Sequence, residues 1–118
     1  MNIEELRIYC LSKKCVTESF PFGTETLVFK VMGKVFLLTG MQHPLQFNVK
    51  CDPEKAVLLR DTYNCVKPGY HMNKKLWNTI IVDGSVPQQQ LYEWITDSYN
   101  LVIAKLPKTQ QKQLTMLH

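Results

Sequence analysis

The chain has 118 residues, 45% hydrophobic and 20% charged, with 14 Lys and Arg against 10 Asp and Glu for a formal charge of +4. These values exclude disorder, collagen-like and low-complexity classes and predict one soluble domain over residues 1–118. No run approaches the roughly 20 apolar residues of a membrane span, and the acidic start Met1-Asn2-Ile3-Glu4-Glu5 lacks a secretory h-region, so the expectation is a cytoplasmic protein.

Asn2 followed by Glu5 has the pattern of a capping box. Ile3, Leu6 and Cys10 recur at helical spacing, which predicts a first helix from residue 3 to about residue 14. Residues 16–20 are β-prone, and Pro21-Phe22-Gly23 turns the chain. Residues 26–32 and 35–41 alternate as strands do. Gly33-Lys34 joins them, and its leading glycine fits a type II′ hairpin with Lys34 at the tip. Residues 45–50 alternate strictly, placing Val49 inward and Lys50 outward. Three strands on short turns argue for an antiparallel meander.

Asp52 as N-cap, Pro53 at the first helical position and Glu54 in the first turn open a second helix. Ala56, Leu59 and Tyr63 form its apolar face. Lys67-Pro68-Gly69-Tyr70 interrupts regular structure, residues 76–82 form a β-branched strand, and Asp83-Gly84 is a turn. Pro87 opens a third helix with a stripe of Leu91, Trp94, Ile95, Ser98, Leu101 and Val102, ending near Leu106-Pro107. The Gln-rich segment 108–118 either extends that helix or frays. The architecture expected is α+β, an antiparallel sheet of about five strands with three helices packed mainly on one face. The other sheet face must then be polar, covered by a partner, or functional.

Charge is distributed in blocks. Lys30, Lys34 and Lys50 occur in an acid-free stretch, as do Lys67, Lys74 and Lys75, and again Lys105, Lys108 and Lys112. If those blocks meet in space they form a field suited to phosphates, and if dispersed they serve solubility. Cys10, Cys15, Cys51 and Cys65 form no C-x-x-C pair, and His43, His71 and His118 supply no zinc-ligand spacing, so free thiols and no metal site are expected. No phosphate-cradling, dinucleotide or metalloprotease motif occurs, which favours a non-catalytic protein without cofactors.

Several segments carry a family resemblance: Pro21-Phe22-Gly23 after a short strand, the strand Val28-Phe29-Lys30-Val31, Gly33-Lys34-Val35-Phe36, and Val49-Lys50-Cys51-Asp52-Pro53-Glu54. Pro68-Gly69-Tyr70-His71-Met72-Asn73-Lys74 and Trp77-Asn78-Thr79 are the specific part, followed by Ser98-Tyr99 with Val102. Together they resemble the MmcQ/YjbR family of small bacterial proteins, from the first helix to about Leu106. The resemblance implies a compact α+β fold similar in outline to the frataxin/CyaY-like or secretion-chaperone-like arrangement. It also implies a suggested DNA-binding role through paired β-hairpins, and it brings no catalytic residues.

The stretch 66–77 is the richest candidate for function, because Lys67, Lys74 and Lys75 interleave with Tyr70, His71 and Trp77. Cations among aromatics suit a phosphate backbone plus stacking on a base. The same residues read structurally as a Pro68-Gly69 turn with Tyr70 and Trp77 packed inward. Lys30, Lys34 and Lys50 add phosphate contacts on the hairpins, or guard strands against aggregation. Ser98 on the apolar stripe fits close helix–sheet packing, and Asn73 and Asn78 fit loop anchors. The leading expectation is a monomeric module binding DNA with little sequence preference. The rival is a protein-interaction or chaperone-like domain using the open sheet face or an edge strand. An iron handler of frataxin outline fits less well, because the first helix offers only Glu4 and Glu5.

Overall fold

In the computed structural model, which describes residues 1–69 and 72–116, the chain runs α1 (Ile3–Leu11), β1 (Val16–Ser19), β2 (Thr26–Val31), β3 (Lys34–Gly40), β4 (Gln46–Lys50), α2 (Pro53–Thr62), β5 (Val66–Pro68), β6 (Trp77–Ile81), α3 (Gln88–Ala104) and α4 (Lys108–Met116). The strands form one antiparallel sheet in the order β1-β2-β3-β4-β6-β5. The crossover through α2 carries the chain to the outer position, and β6 returns between β4 and β5. No helix among the described residues is long and apolar enough to cross a membrane.

The α+β class is as the sequence indicates, with six strands and four helices in place of five and three. The added strand Val66–Pro68 is too short for a periodic signal and ends in a residue that reads as a breaker. At a sheet edge a proline forfeits no ladder bond, because its missing N–H faces outward. The added helix Lys108–Met116 buries Leu114 against the core.

Local chemistry sets the boundaries. The capping box closes α1 at its start, with Asn2 Oδ1 accepting from the Glu5 N–H at 2.9 Å. That helix stops at Leu11, short of residue 14, because the Ser12 hydroxyl bonds back to the Tyr9 carbonyl and Cys15 turns at φ 59°. Asp52 caps α2 with Pro53 in its first turn. The β2–β3 turn lies one residue earlier than Gly33-Lys34. Met32 and Gly33 are its two central residues, at φ 50° and 82°, the double positive φ of a type I′ hairpin. Gly33 adopts that region freely, while Met32 is held there by the Val31–Lys34 pairing. Lys34 therefore begins β3 and is not a tip residue.

The helix-facing side of the sheet carries Leu27, Phe29, Leu37, Phe47, Val49 and Ile80, all essentially buried. A bulge opposite Phe29 and Lys30 adds Phe36 to that side, where its ring meets Tyr99 edge-on at 5.4 Å. α3 covers the middle strands with Leu91, Trp94, Ile95, Ser98, Tyr99 and Val102. Tyr99 takes the buried place expected for Leu101, because its hydroxyl reaches the Lys14 carbonyl at 2.7 Å. α1 joins α3 through the stacked pair Tyr9–Tyr92, and α2 joins it through Tyr63–Trp94. Where the bulge parts β3 from β4, the Ser98 hydroxyl bridges them. It donates to the Phe36 carbonyl at 2.6 Å and accepts from the Lys50 N–H at 2.8 Å. Its role is structural, as its place on the stripe suggests.

Candidate nucleic-acid interface

Among the described residues no helix packs on the opposite sheet face. Register places Val28, Leu38, Asn48, Thr79 and Lys67 in one row across five strands. The next row, toward the end where β4 stops, holds Lys30, Val35, Lys50 and Trp77. Three loops wall this face. Phe22 and Glu25 rise from the β1–β2 connection, Gln42 from the β3–β4 loop, and Met72 from the β5–β6 loop. With a floor of Thr26, Leu38, Gln46, Asn48 and Thr79, they enclose a cleft of about 680 Å3. The Thr79 hydroxyl donates to Asn48 Oδ1 at 2.5 Å, which ties that carboxamide to the neighbouring strand. Phe22 is 75% exposed at the rim.

The Pro68-Gly69 and Trp77-Asn78-Thr79 segments build the neighbouring loop. Gly69 donates to the Trp77 carbonyl at 3.0 Å, and a Cβ at Gly69 would sit 3.0 Å from Trp77 Cβ and that same oxygen. A side chain at this position would press on the Trp77 backbone, so glycine suits the close approach. Asn73 accepts from the Lys75 N–H through its side chain, and its carbonyl accepts from the Leu76 and Trp77 N–H groups. Arg60 holds the loop to α2 by donating to the Lys74 carbonyl at 2.9 Å. Asn78 points inward and donates to the Ala56 carbonyl, so both asparagines are anchors. Trp77 stays half-buried on the helix-free side.

Of the lysines singled out in the sequence, Lys30, Lys50 and Lys67 share the helix-free face, and Lys74 and Lys75 are exposed in the loop before Trp77. Lys34 lies beside Lys50 at the end of the sheet, across a pocket from Lys105. Tyr70 and His71 lie outside the described residues. Among the described residues the ion pairs are Arg7–Glu18 and Lys55–Asp97, and neither draws on Lys30, Lys34, Lys50, Lys67 or Lys75. Burial, and then the nearby Lys105 charge, hold the Lys50 ammonium below the usual lysine range.

The four cysteines are free thiols, and Cys51 and Cys65 are buried more deeply than half-buried side chains would be. Burial pushes the Cys10 thiol up to about 12 and raises that of Cys51, so neither presents a ready thiolate. Among the described residues no group of three His, Cys, Asp or Glu side chains is placed to hold a metal. Sequence reading overlooked Gln42, Gln46 and Asn48, and it counted Lys105 in a basic block without placing it in a site. Gln46 and Asn48 belong to the outward half of the alternating stretch 45–50, a signal available but unused.

The YjbR family model matches residues 11–101. This chain belongs to the YjbR family. Its relatives include YbdF of Escherichia coli O157:H7, 42% identical over 96 residues covering 80% of this chain and 79% of YbdF. YjbR of Escherichia coli strain K12 is 32% identical over 118 residues, 99% of this chain and 100% of YjbR. Both carry the description uncharacterized protein. The crystal structure of the Deinococcus radiodurans protein DR2400, with a DUF419 domain, superposes on this YjbR-family chain with a TM-score of 0.91 and 40% identity, covering 98% of this chain and 89% of DR2400. A Pseudomonas syringae protein at 24% identity and a TM-score of 0.75, covering 86% of this chain and 98% of its own, shares the fold.

Proposed function

We propose that this YjbR-family protein is a non-catalytic nucleic-acid-binding module whose contact surface is the helix-free face of the sheet. The observation that carries the reading is the register of Lys30, Lys50 and Lys67 on that face, together with Trp77 and beside the cleft. The lysines suit backbone phosphates, which position a strand without reading its sequence. The cleft falls within the usual size range of ligand pockets, roughly 300–1,000 Å3. Its Gln42, Gln46 and Asn48 carboxamides match the edges of unpaired bases, and Phe22 offers a stacking surface. Two of the three threonine hydroxyls in the lining are already engaged, Thr39 with backbone carbonyls and Thr79 with Asn48, which supports binding over catalysis.

Fluorescence anisotropy of labelled single-stranded and duplex 12-mers across salt tests this. With about four to six phosphate contacts, the log–log salt slope is expected near −4 to −5 on duplex and shallower on single strands. The double substitution Lys30→Glu with Lys67→Glu should flatten the slope by about 2 while the circular dichroism spectrum stays unchanged. Salt-independent binding, or retention unaffected by the double substitution, overturns the reading.

One observation favours a second reading. Phe20, Phe22 and Met41 are exposed apolar side chains on two loops of the same face. They suit a polypeptide partner, and binding lost in Phe22→Ser but kept in the lysine double variant would select it.

A further inference from the structure

At the end of the sheet, three lysines from distant parts of the chain line one pocket of about 190 Å3. Lys34 begins β3, Lys50 ends β4 and Lys105 caps the C-terminus of α3. The remaining walls are Val35, Val102 and Leu106, the last two almost fully buried. Among the described residues no carboxylate lines the pocket. The two acids paired with cations among the described residues, Glu18 and Asp97, are engaged by Arg7 and Lys55.

We infer that the Lys34–Lys50–Lys105 pocket is a binding site for a phosphate group. Lys34 and Lys105 are exposed and Lys50 is half-buried, and gathering three like charges at one pocket is unfavourable without a counter-ion. The Lys50 ammonium is held low first by burial and then by the Lys105 charge. The negative end of the α3 dipole accounts for Lys105 at a helix C-terminus. It accounts for neither Lys34 nor Lys50, which come from the sheet. Nor is the α3 end an open set of acceptors. The Val102 and Ile103 carbonyls accept from the Lys105 and Leu106 N–H groups, and the Leu106 carbonyl accepts from Gln111. What the pocket lacks is negative charge. A phosphate monoester, pyrophosphate or a backbone phosphodiester supplies it with oxygens that accept from three ammonium groups. The inference deepens the nucleic-acid reading where the phosphate is a phosphodiester, and it rests on that reading only there.

Isothermal titration of the full chain with pyrophosphate and, separately, with a single-stranded 12-mer, both at constant ionic strength, tests the site. Lys50→Met and Lys105→Met should each weaken pyrophosphate binding at least tenfold. Lys112→Met, which removes an exposed α4 charge outside the lining, should change it less than twofold. The Lys50 bond to Ser98 is made by the main chain, so Lys50→Met keeps it. If that variant nevertheless melts early, Lys105→Met decides the result. Parallel weakening of the 12-mer supports the pocket with a nucleic-acid backbone as its source of phosphate. Pyrophosphate binding with no 12-mer binding supports the pocket with a free phosphorylated molecule as source, and it sinks the nucleic-acid reading alone. No saturable pyrophosphate binding, or equal weakening by all three substitutions, overturns the pocket whether or not the 12-mer binds.

Discussion

The two faces of one sheet are built from alternate residues of the same strands, yet they obey different rules. Phe47 and Val49 face α3 and are buried among aromatic and aliphatic neighbours. Asn48 and Lys50, one residue away on each side, face a walled cleft and a lysine-lined pocket. The covered face is fixed by packing, where each side chain fills a space no other shape fills. On the open face, the Gln46 carboxamide and the Lys30 and Lys67 ammonium groups are outside the packed core. Packing and polarity thus divide largely by side-chain parity along single strands, with Val28 a buried exception on the helix-free side.

The contrast can be broken most forcefully on the covered side. Phe47→Ala should cost about 3–5 kcal/mol, because a buried ring leaves a cavity. Asn48→Ala should cost about 1 kcal/mol or less, since water replaces the lost hydrogen bond. Urea unfolding of the two variants measures the difference, and equal losses would mean the open face is as structural as the other. Ser98→Ala sharpens the comparison at the point where the faces meet. It leaves the Phe36 carbonyl and the Lys50 N–H without their bridge, for an expected loss of about 1–3 kcal/mol. Thermal melting checks it, and a loss near zero would show that β3 and β4 close the gap themselves.

The smallest effect lies at the β1 edge. The hydrogen bond from Arg7 holds the Glu18 carboxyl below its ordinary range. The stability from this pair is therefore present above the ordinary glutamate value and lost as pH falls through the lower folded value. Urea midpoints of the wild type and Glu18→Gln should differ slightly at neutral pH and converge in acid. A gap that persists in acid would assign the effect to packing.

Much of this was legible in the chain because it is local. Asn2 with Glu5, and Asp52 with Pro53, mark helix starts through contacts within three residues. The strict alternation over residues 45–50 assigns faces because strand geometry reverses every residue. The Pro68-Gly69 and Trp77-Asn78-Thr79 segments carried the family resemblance, and Gly69 shows why, since a Cβ there would collide with Trp77. Three features escaped local reading. The β2–β3 turn shifted by one residue because the Val31–Lys34 pairing outweighed the strain at Met32. β5 is held by its pairing with β6 and carries too few residues for a pattern. Lys105 met Lys34 and Lys50 only through the bulge and the path of α3. Periodicity and capping act over one turn or one pleat, so the sequence determined which elements form and which side of each is wet. Which cations end up as neighbours depends on strand register and helix placement between residues far apart in the chain, and those the tertiary structure alone decided.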